Sequence, residues 1–386
     1  MSVAFGLDRV VAEPPPLLLE GPVGVVTNRA ATTATLEDAV IALARIGVQW
    51  AAIFAPEHGF STALPAGHQV ASAVESRTRV PLYSLYGEAW APPPEILADL
   101  TALVVDLPDV GARMYTYVST VIHVLRAAAR AGVPVLLLDR PNPINGVQVE
   151  GPILEDAYTS FVGMLPVPVR HGLTLGELAH VANNVLDIGA QLHVIPVSGW
   201  QRSMGFDAWG RPWVPPSPNI PHGETALLYP GMSLIEGTNL SEGRGTPYPF
   251  AVVGAPWLDP DALARRLNAY PLPGVRFRPV SFTPCADKHR GHLCHGVQVH
   301  ITDPRAFRPV RTGIAVLLEA RAQDPDAFAF LPPRRAGETT HFDRLIGNGH
   351  VRAQVEAGAR WEEIVGPWER EERAFLTWRQ PYLLYP

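Results

Sequence analysis

Lysine is nearly missing from this chain of 386 residues: Lys288 is the only one, so positive charge is carried by arginine. There is no general basic field either, because the formal net charge is −6, which disfavours a protein that grips a nucleic-acid backbone. Cysteine is scarce. Cys285 and Cys294 are the two present, too few for a disulfide-framed scaffold and in keeping with a reducing compartment. No apolar run reaches the roughly 18 residues of a membrane span; the best, Ala39 to Pro56, carries Arg45 and Gln49 and breaks at Gly47. Residues Met1 to Arg9 lack the charged start, continuous apolar stretch and small-residue cleavage site of an export signal. The expectation is a protein of the cytoplasm, engaging neither membrane nor nucleic acid. Nothing in the sequence speaks to oligomeric state.

Cofactor signatures are missing as well. No glycine-rich phosphate cradle or Walker loop follows the first apolar run, Val23-Gly24-Val25-Val26-Thr27-Asn28-Arg29, so no nucleotide or nicotinamide cofactor is expected. No G-x-S-x-G elbow occurs, and Ser217 lies among prolines without the strand-turn-helix context of a serine nucleophile.

What the chain has is apolar bulk. Hydrophobic residues make up 47% and charged residues 18%, enough for sizeable cores, and the length fits two domains. Proline (40) and glycine (33) are plentiful without reaching the roughly 25–30% combined share of low-complexity chains. From Val23 to Val197, short β-branched runs alternate with helical stretches, the pattern of βαβ units on a parallel sheet. The runs are Val23–Thr27, Trp50–Phe54, Leu103–Asp106, Val133–Leu138 and Leu192–Val197, with Pro81–Leu85 as a further strand. Helices are expected over Leu36–Ile46 and over Tyr117–Ala131, the latter ending at Gly132. The tryptophan- and proline-rich stretch Gly199–Gly223 reads as a long ordered connection. Beyond it, Val297, Val299 and Ile301 alternate with polar residues as a half-buried strand, and Trp361–Trp378 reads as a helix. The fold class is therefore α/β, with an N-terminal parallel-sheet domain (1–225) and a smaller α+β C-terminal domain (226–386).

Open parallel sheets bind ligands beyond the carboxyl ends of their strands. At those ends stand Asn28, then Glu57-His58, then Asp106 to Asp109 followed by Arg113, then Asp139. Residues that follow a buried strand must be polar simply to leave the core, so each needs weighing. Glu177 completes a capping box with Thr174, and Asp139 before Arg140-Pro141 serves a turn. Glu57, between Pro56 and Gly59, has no capping or helical-pair explanation. Carboxylates, arginines and tyrosines in glycine- and proline-rich loops outline sugar-hydrolase chemistry: paired carboxyl groups protonate a glycosidic oxygen and stabilise the developing oxocarbenium ion. Cys285, His289, His292, Cys294 and His295 form a compact Cys/His cluster whose spacing matches no standard zinc finger; loop and core roles account for them, with a zinc-dependent hydrolase as an alternative.

With these residues in place, the chain resembles the exo-acting β-N-acetylmuramidases of peptidoglycan turnover. The resemblance runs through Val23-Gly-Val-Val-Thr-Asn28, Pro56-Glu-His-Gly-Phe60, Asp109 to Tyr117, Asp139-Arg-Pro-Asn-Pro143, Val149-Glu-Gly-Pro152, Arg170-His-Gly172, Pro216-Ser-Pro-Asn219, Tyr229-Pro-Gly231, Glu236 to Thr246 and Tyr382-Leu-Leu-Tyr385. It implies a Rossmann-like N-terminal domain, a smaller C-terminal domain and an active site in the cleft between them. The implied reaction is removal of terminal N-acetylmuramic acid (MurNAc) from the non-reducing end of MurNAc-β-1,4-GlcNAc fragments, with no cofactor. Two departures stand out: Pro108 where the family usually has glutamine, and Ser61-Thr62 where relatives often have Arg-Gly. Many relatives are exported or lipid-anchored; this chain is expected to act on imported sugars.

The expected general acid is Glu57, holding its proton through partial burial, with His58 orienting it. Asp109 or Glu242 is the second carboxylate. The lactyl carboxylate that distinguishes MurNAc from GlcNAc calls for an arginine fork, from Arg113, Arg170 or Arg244. Asn28, Tyr115, Tyr117, His171, Asn219, Glu236 and Asn239 complete the expected binding set. The competing reading is a sugar-binding protein without turnover.

Overall fold

The computed structural model describes residues 3–69, 71–335 and 337–386. All six expected N-terminal strands form, and they join one sheet. Its strands are β1 (Pro22–Thr27), β2 (Gln49–Ala55), β3 (Ala73–Val74), β4 (Pro81–Ser84), β5 (Ala102–Asp106), β6 (Val135–Leu138) and, after two strands of another sheet, β9 (Leu192–Ile195). Their order is β3-β4-β2-β1-β5-β6-β9, parallel throughout except for β3, which pairs antiparallel with β4. Alternate side chains enter opposite cores, as the period of two requires. Val23, Val25, Ile53, Val104, Leu136 and Leu138 face one cluster with the Ala39–Arg45 helix. Val26, Phe54, Leu103, Val105 and Leu137 face the other, with the Tyr117–Ala131 and Leu175–Val185 helices. Both faces are covered, which is why these strands read as continuous apolar runs.

From β1 the chain first adds strands on one side (β2, β4) and then on the other (β5, β6, β9). The order therefore reverses between β1 and β5, the place where an open α/β sheet leaves a crevice. Asn28 and Asp109 follow those two strands, and Glu57 follows the neighbouring β2.

Helix boundaries differ from the pattern where capping chemistry decides them. The Tyr117–Ala131 helix ends as expected at Gly132 in the left-handed conformation (φ 69°). The helix expected over Leu36–Ile46 spans Ala39–Arg45 and starts later than Leu36, because Asp38 accepts from the Ile41 N–H as its N-cap and Leu36 itself has φ 66°. The expected Trp361–Trp378 helix is two, Trp361–Val365 and Trp368–Trp378, interrupted at Gly366-Pro367 because proline has no N–H to continue the ladder.

The C-terminal part is built on an antiparallel sheet of β10 (Val252–Ala255), β12 (Cys294–Ile301) and β11 (Val275–Phe282), with β12 central, backed by the Pro260–Leu267 and Pro309–Gln323 helices. β7 (Glu150–Ile153) and β8 (Pro168–Arg170) form a separate antiparallel pair that carries no alternation a pattern would reveal. The C-terminal tail folds back on the first sheet. There the Tyr385 hydroxyl donates to Asp139 at 2.5 Å and accepts from the Val197 N–H, while the Leu384 N–H donates to Glu177. Asp139 also accepts from Thr174, Arg140 and Gly176, so it is a structural hub, as its turn position suggested.

Candidate active site

After β2 the chain turns sharply. His58 and Gly59 both have positive φ (68° and 72°), and the Gly59 N–H returns to the Pro56 carbonyl at 3.0 Å. The turn leaves Glu57 at the sheet edge, 5% exposed, with both carboxyl oxygens held. Thr116 donates its hydroxyl to Oε2 at 2.6 Å, and the Gly67 N–H donates to Oε1 at 2.8 Å. The Tyr86 phenol lies against the same carboxyl group; burial first, and then the charge of Glu57, push its pKa well above the usual range.

His58 does not do what the sequence suggested. Its Nδ1 pairs with the Leu64 carbonyl at 2.8 Å, so this nitrogen carries the proton, and no hydrogen bond joins the ring to Glu57. Thr116 and Gly67 do the orienting instead. Burial lowers the His58 pKa against the opposing pull of Glu57.

Beneath Glu57 lies a buried polar scaffold. The Tyr117 hydroxyl donates to the Pro216 carbonyl at 2.8 Å and accepts from Asn28 Nδ2 at 2.9 Å, while Asn28 Oδ1 accepts from the Ala30 N–H. Tyr117 and Asn28 thus tie the end of β1, the start of a helix and the long connection together. Tyr115 packs edge-on to Tyr117 and to Tyr229, with ring centroids 4.7 and 6.0 Å apart.

Asp109 accepts from the Gly111 N–H at 2.7 Å through Oδ2, while Oδ1 has no partner. Burial raises its pKa to about 7, partly offset by the amides of Gly111 and Val110. His171 Nε2 stands 4.0 Å away. Because His171 Nδ1 accepts from the Leu173 N–H, the neutral ring carries its proton on Nε2, toward Asp109. Burial, with Arg379 and other arginines nearby, holds His171 down to about 3.

The opposite wall comes from the C-terminal part. Arg244 pairs with Glu236 at 3.0 Å and with Glu242 at 3.1 Å, and Glu242 reaches Lys288 at 2.8 Å. The lone lysine also donates to the carbonyls of Ile235 (2.9 Å) and Thr238 (3.0 Å). Burial pushes Glu236 up, but Arg244 and His341 outweigh it and bring the group down to about 2. Glu242 is raised by burial despite its two cations. The two walls meet at Tyr229, whose buried phenol is pushed up by burial and then by Glu236, with Glu57 and Asp109 also acting on it. His58 likewise feels both Arg244 and Glu236.

Several expected residues lie elsewhere or are committed. Arg113 spends its guanidinium on the carbonyls of Pro152, Val167 and Leu345 (2.9, 2.7 and 3.0 Å), so it ties loops together instead of facing a cleft. Arg170 is fully buried and donates to the Ile144 carbonyl. Asn239 bridges Ala327 and Ala329. Asn219 is half-buried on the long connection. The Cys/His cluster does not converge: His289 turns to the Asn239 carbonyl, His292 to the Arg290 carbonyl and His295 to Ser281. Among the described residues, no group of three or more His, Cys, Asp or Glu is placed to hold a metal ion. Thr116, Tyr86 and Tyr229 belong to the site without having been singled out; two of them stood inside motifs already quoted.

The family described as exo-beta-N-acetylmuramidase NamZ, N-terminal, matches residues 23–224, and its C-terminal counterpart matches residues 227–385. The chain is 42% identical over 385 residues to the peptidoglycan beta-N-acetylmuramidase NamZ of Bacillus subtilis (strain 168), covering 100% of this chain and 92% of that protein. Crystal structures of two DUF1343 family proteins from Bacteroides fragilis NCTC 9343 are similar to it, with TM-scores of 0.89 and 0.79 at 32% and 31% identity. Each covers 100% of this chain and 99% of the neighbour.

Proposed function

The chain belongs to the exo-β-N-acetylmuramidase NamZ family, and from that premise we propose that Glu57 is the acid with which it releases terminal MurNAc from MurNAc-β-1,4-GlcNAc fragments of peptidoglycan. The chain is a glycoside hydrolase of two-domain α/β architecture. We take residues 1–225 and 226–386 as its halves. The observation that carries the role of Glu57 is its fixed carboxyl group at the sheet's ligand-binding edge, with Thr116 and Gly67 on its two oxygens. A carboxyl group held in one orientation delivers its proton along one path, to the oxygen joining the two sugars.

Asp109 is the second carboxylate in this reading. Glu242 is committed to Arg244 and Lys288, whereas Asp109 keeps one oxygen without a partner and serves the positive charge that develops at the anomeric carbon. Of the three arginines, Arg244 is the one whose surroundings include His58 and Tyr229, so it is the reader of the lactyl carboxylate. Glu236 and Glu242 hold its fork in place.

Action in the cytoplasm on imported fragments is part of the proposal. Both cysteines are free, and no described helix is long and apolar enough to cross a membrane; fractionation of the native host tests this location. The reaction is tested by incubating the protein with MurNAc-GlcNAc and identifying products by mass spectrometry. Free MurNAc and GlcNAc are expected; an intact, bound disaccharide would favour a sugar-binding protein.

A further inference from the structure

An aromatic surface continues outward from Glu57. β2 and β4 run parallel with Ala55 opposite Ser84, and the Leu85 N–H donates to the Ala55 carbonyl at 2.8 Å. Two residues beyond that pair, Glu57 and Tyr86 therefore leave the sheet side by side. From Tyr86 the rings continue to Trp90, with centroids 5.3 Å apart, and to Phe161, 4.2 Å from Trp90 and 5.7 Å from Tyr86. The His123 imidazole lies nearly parallel to Phe161 at 6.1 Å.

Three separate segments converge to make this surface: the chain after β4, the Tyr117–Ala131 helix, and a tight turn in which Ser160 and Gly163 exchange both backbone hydrogen bonds at 2.9 Å and so project Phe161. Core packing does not account for it. Tyr86, Trp90 and Phe161 belong to none of the apolar clusters, and Trp90 is 38% exposed. Aromatic rings grouped at the mouth of a polar site, with apolar faces and wet edges, suit a ligand that has one apolar face and a polar rim. A β-linked amino-sugar ring is such a ligand: its axial C–H groups form a flat apolar face, and its hydroxyls and acetamido group lie around the edge.

We propose that Tyr86, Trp90 and Phe161 form a stacking platform for the sugar rings on the leaving-group side of the scissile bond, so that this protein holds oligosaccharides longer than the disaccharide it cleaves. This rests on the reading of Glu57 as the acid, since the acid marks where the leaving-group sugar begins, and Tyr86 stands beside it.

The test uses Glu57→Gln protein, which keeps ligands intact, and calorimetric titration with MurNAc, MurNAc-GlcNAc and the tetrasaccharide (MurNAc-GlcNAc)2. Affinity is expected to rise with length. Adding Trp90→Ala is expected to weaken the tetrasaccharide roughly tenfold, the scale of one lost aromatic burial, with the loss shrinking as the ligand shortens to MurNAc. Trp90→Phe should restore most of it. Trp90 is exposed at the surface, so its replacement leaves the core intact, and Phe161→Ala provides an independent second probe. Equal losses for all three ligands, or tetrasaccharide affinity unchanged in both alanine variants, overturns the platform. Release of MurNAc by the Glu57→Gln protein, or no binding of any of the three, overturns instead the assignment of Glu57 and, with it, the platform.

Discussion

Thr116 precedes the Tyr117–Ala131 helix at its N-cap, yet its hydroxyl caps nothing there; it donates instead to Glu57 Oε2 at 2.6 Å. An N-cap hydroxyl is ordinarily worth about 1 kcal/mol to a helix. Spending it on a carboxyl group of another segment marks that carboxyl as the group whose position matters, and it aims the helix's positive end toward the site.

Thr116→Val keeps the shape and removes the donor. We predict a roughly 10- to 100-fold fall in kcat with a much smaller change in KM, since the misplaced group acts in the transition state. Thr116→Ser should retain most of the activity. Steady-state kinetics on MurNAc-GlcNAc decides: a rise in KM with kcat unchanged would mean that Thr116 serves binding and not proton delivery.

Asp109 gives a prediction in which stability and activity move oppositely. Its pKa in the fold is raised by burial to about 7 from an ordinary 3.8. A raised carboxyl pKa means that the folded state binds the proton more tightly than the unfolded chain, so stability is fully present below the unfolded pKa and is lost as pH climbs from about 4 to 7. Asp109→Asn has no charge to bury. It should be more stable than the parent by an amount on the order of a few kcal/mol above pH 7 and equal to it near pH 4, as read from urea midpoints at both pH values. Its turnover should fall roughly 100-fold or more, and the parent's rise in rate as pH passes upward through about 7 should vanish. A stability difference of the same size at both pH values would show that burial does not raise the Asp109 pKa above that of the unfolded chain.

Arg244 is held between Glu236 and Glu242, which fixes the plane of its guanidinium. Lysine offers a point charge without that plane. Arg244→Lys should therefore cost MurNAc glycosides at least roughly tenfold more in kcat/KM than the matching GlcNAc glycosides, the scale of one charge-assisted hydrogen bond. Equal losses on the two series would place the lactyl reader elsewhere.

Much of the scaffold was legible because buried parallel strands announce themselves. Val23–Thr27, Leu103–Asp106 and their neighbours are continuous apolar runs, and the residues after them land on one edge by topology alone. The place of Glu57 on that edge was legible for the same reason, because it follows β2 closely. Arginines misled. In the sequence Arg113 and Arg170 sit among the same glycine- and proline-rich motifs as Arg244, although Arg170 ends β8, and only the carbonyls that surround Arg113 in three dimensions, contributed by residues as distant as Leu345, reveal a structural role. Thr116 and Tyr86 were invisible for the converse reason: their importance lies in facing a residue some thirty to sixty positions away, through the pairing of β2 with β4 and the docking of a helix. The β7–β8 pair, rich in proline and glycine, carries no period for a pattern to show.

Proton delivery by Glu57 is tested by the turnover of MurNAc-GlcNAc by Glu57→Gln protein whose circular dichroism and unfolding midpoint match the parent. Glutamine preserves the size and the contact with Thr116 while removing the proton to be given. A loss of roughly 10²- to 10⁴-fold in kcat is expected, with binding of the disaccharide retained; MurNAc release at the parental rate by a folded Glu57→Gln protein would show that Glu57 is not the acid.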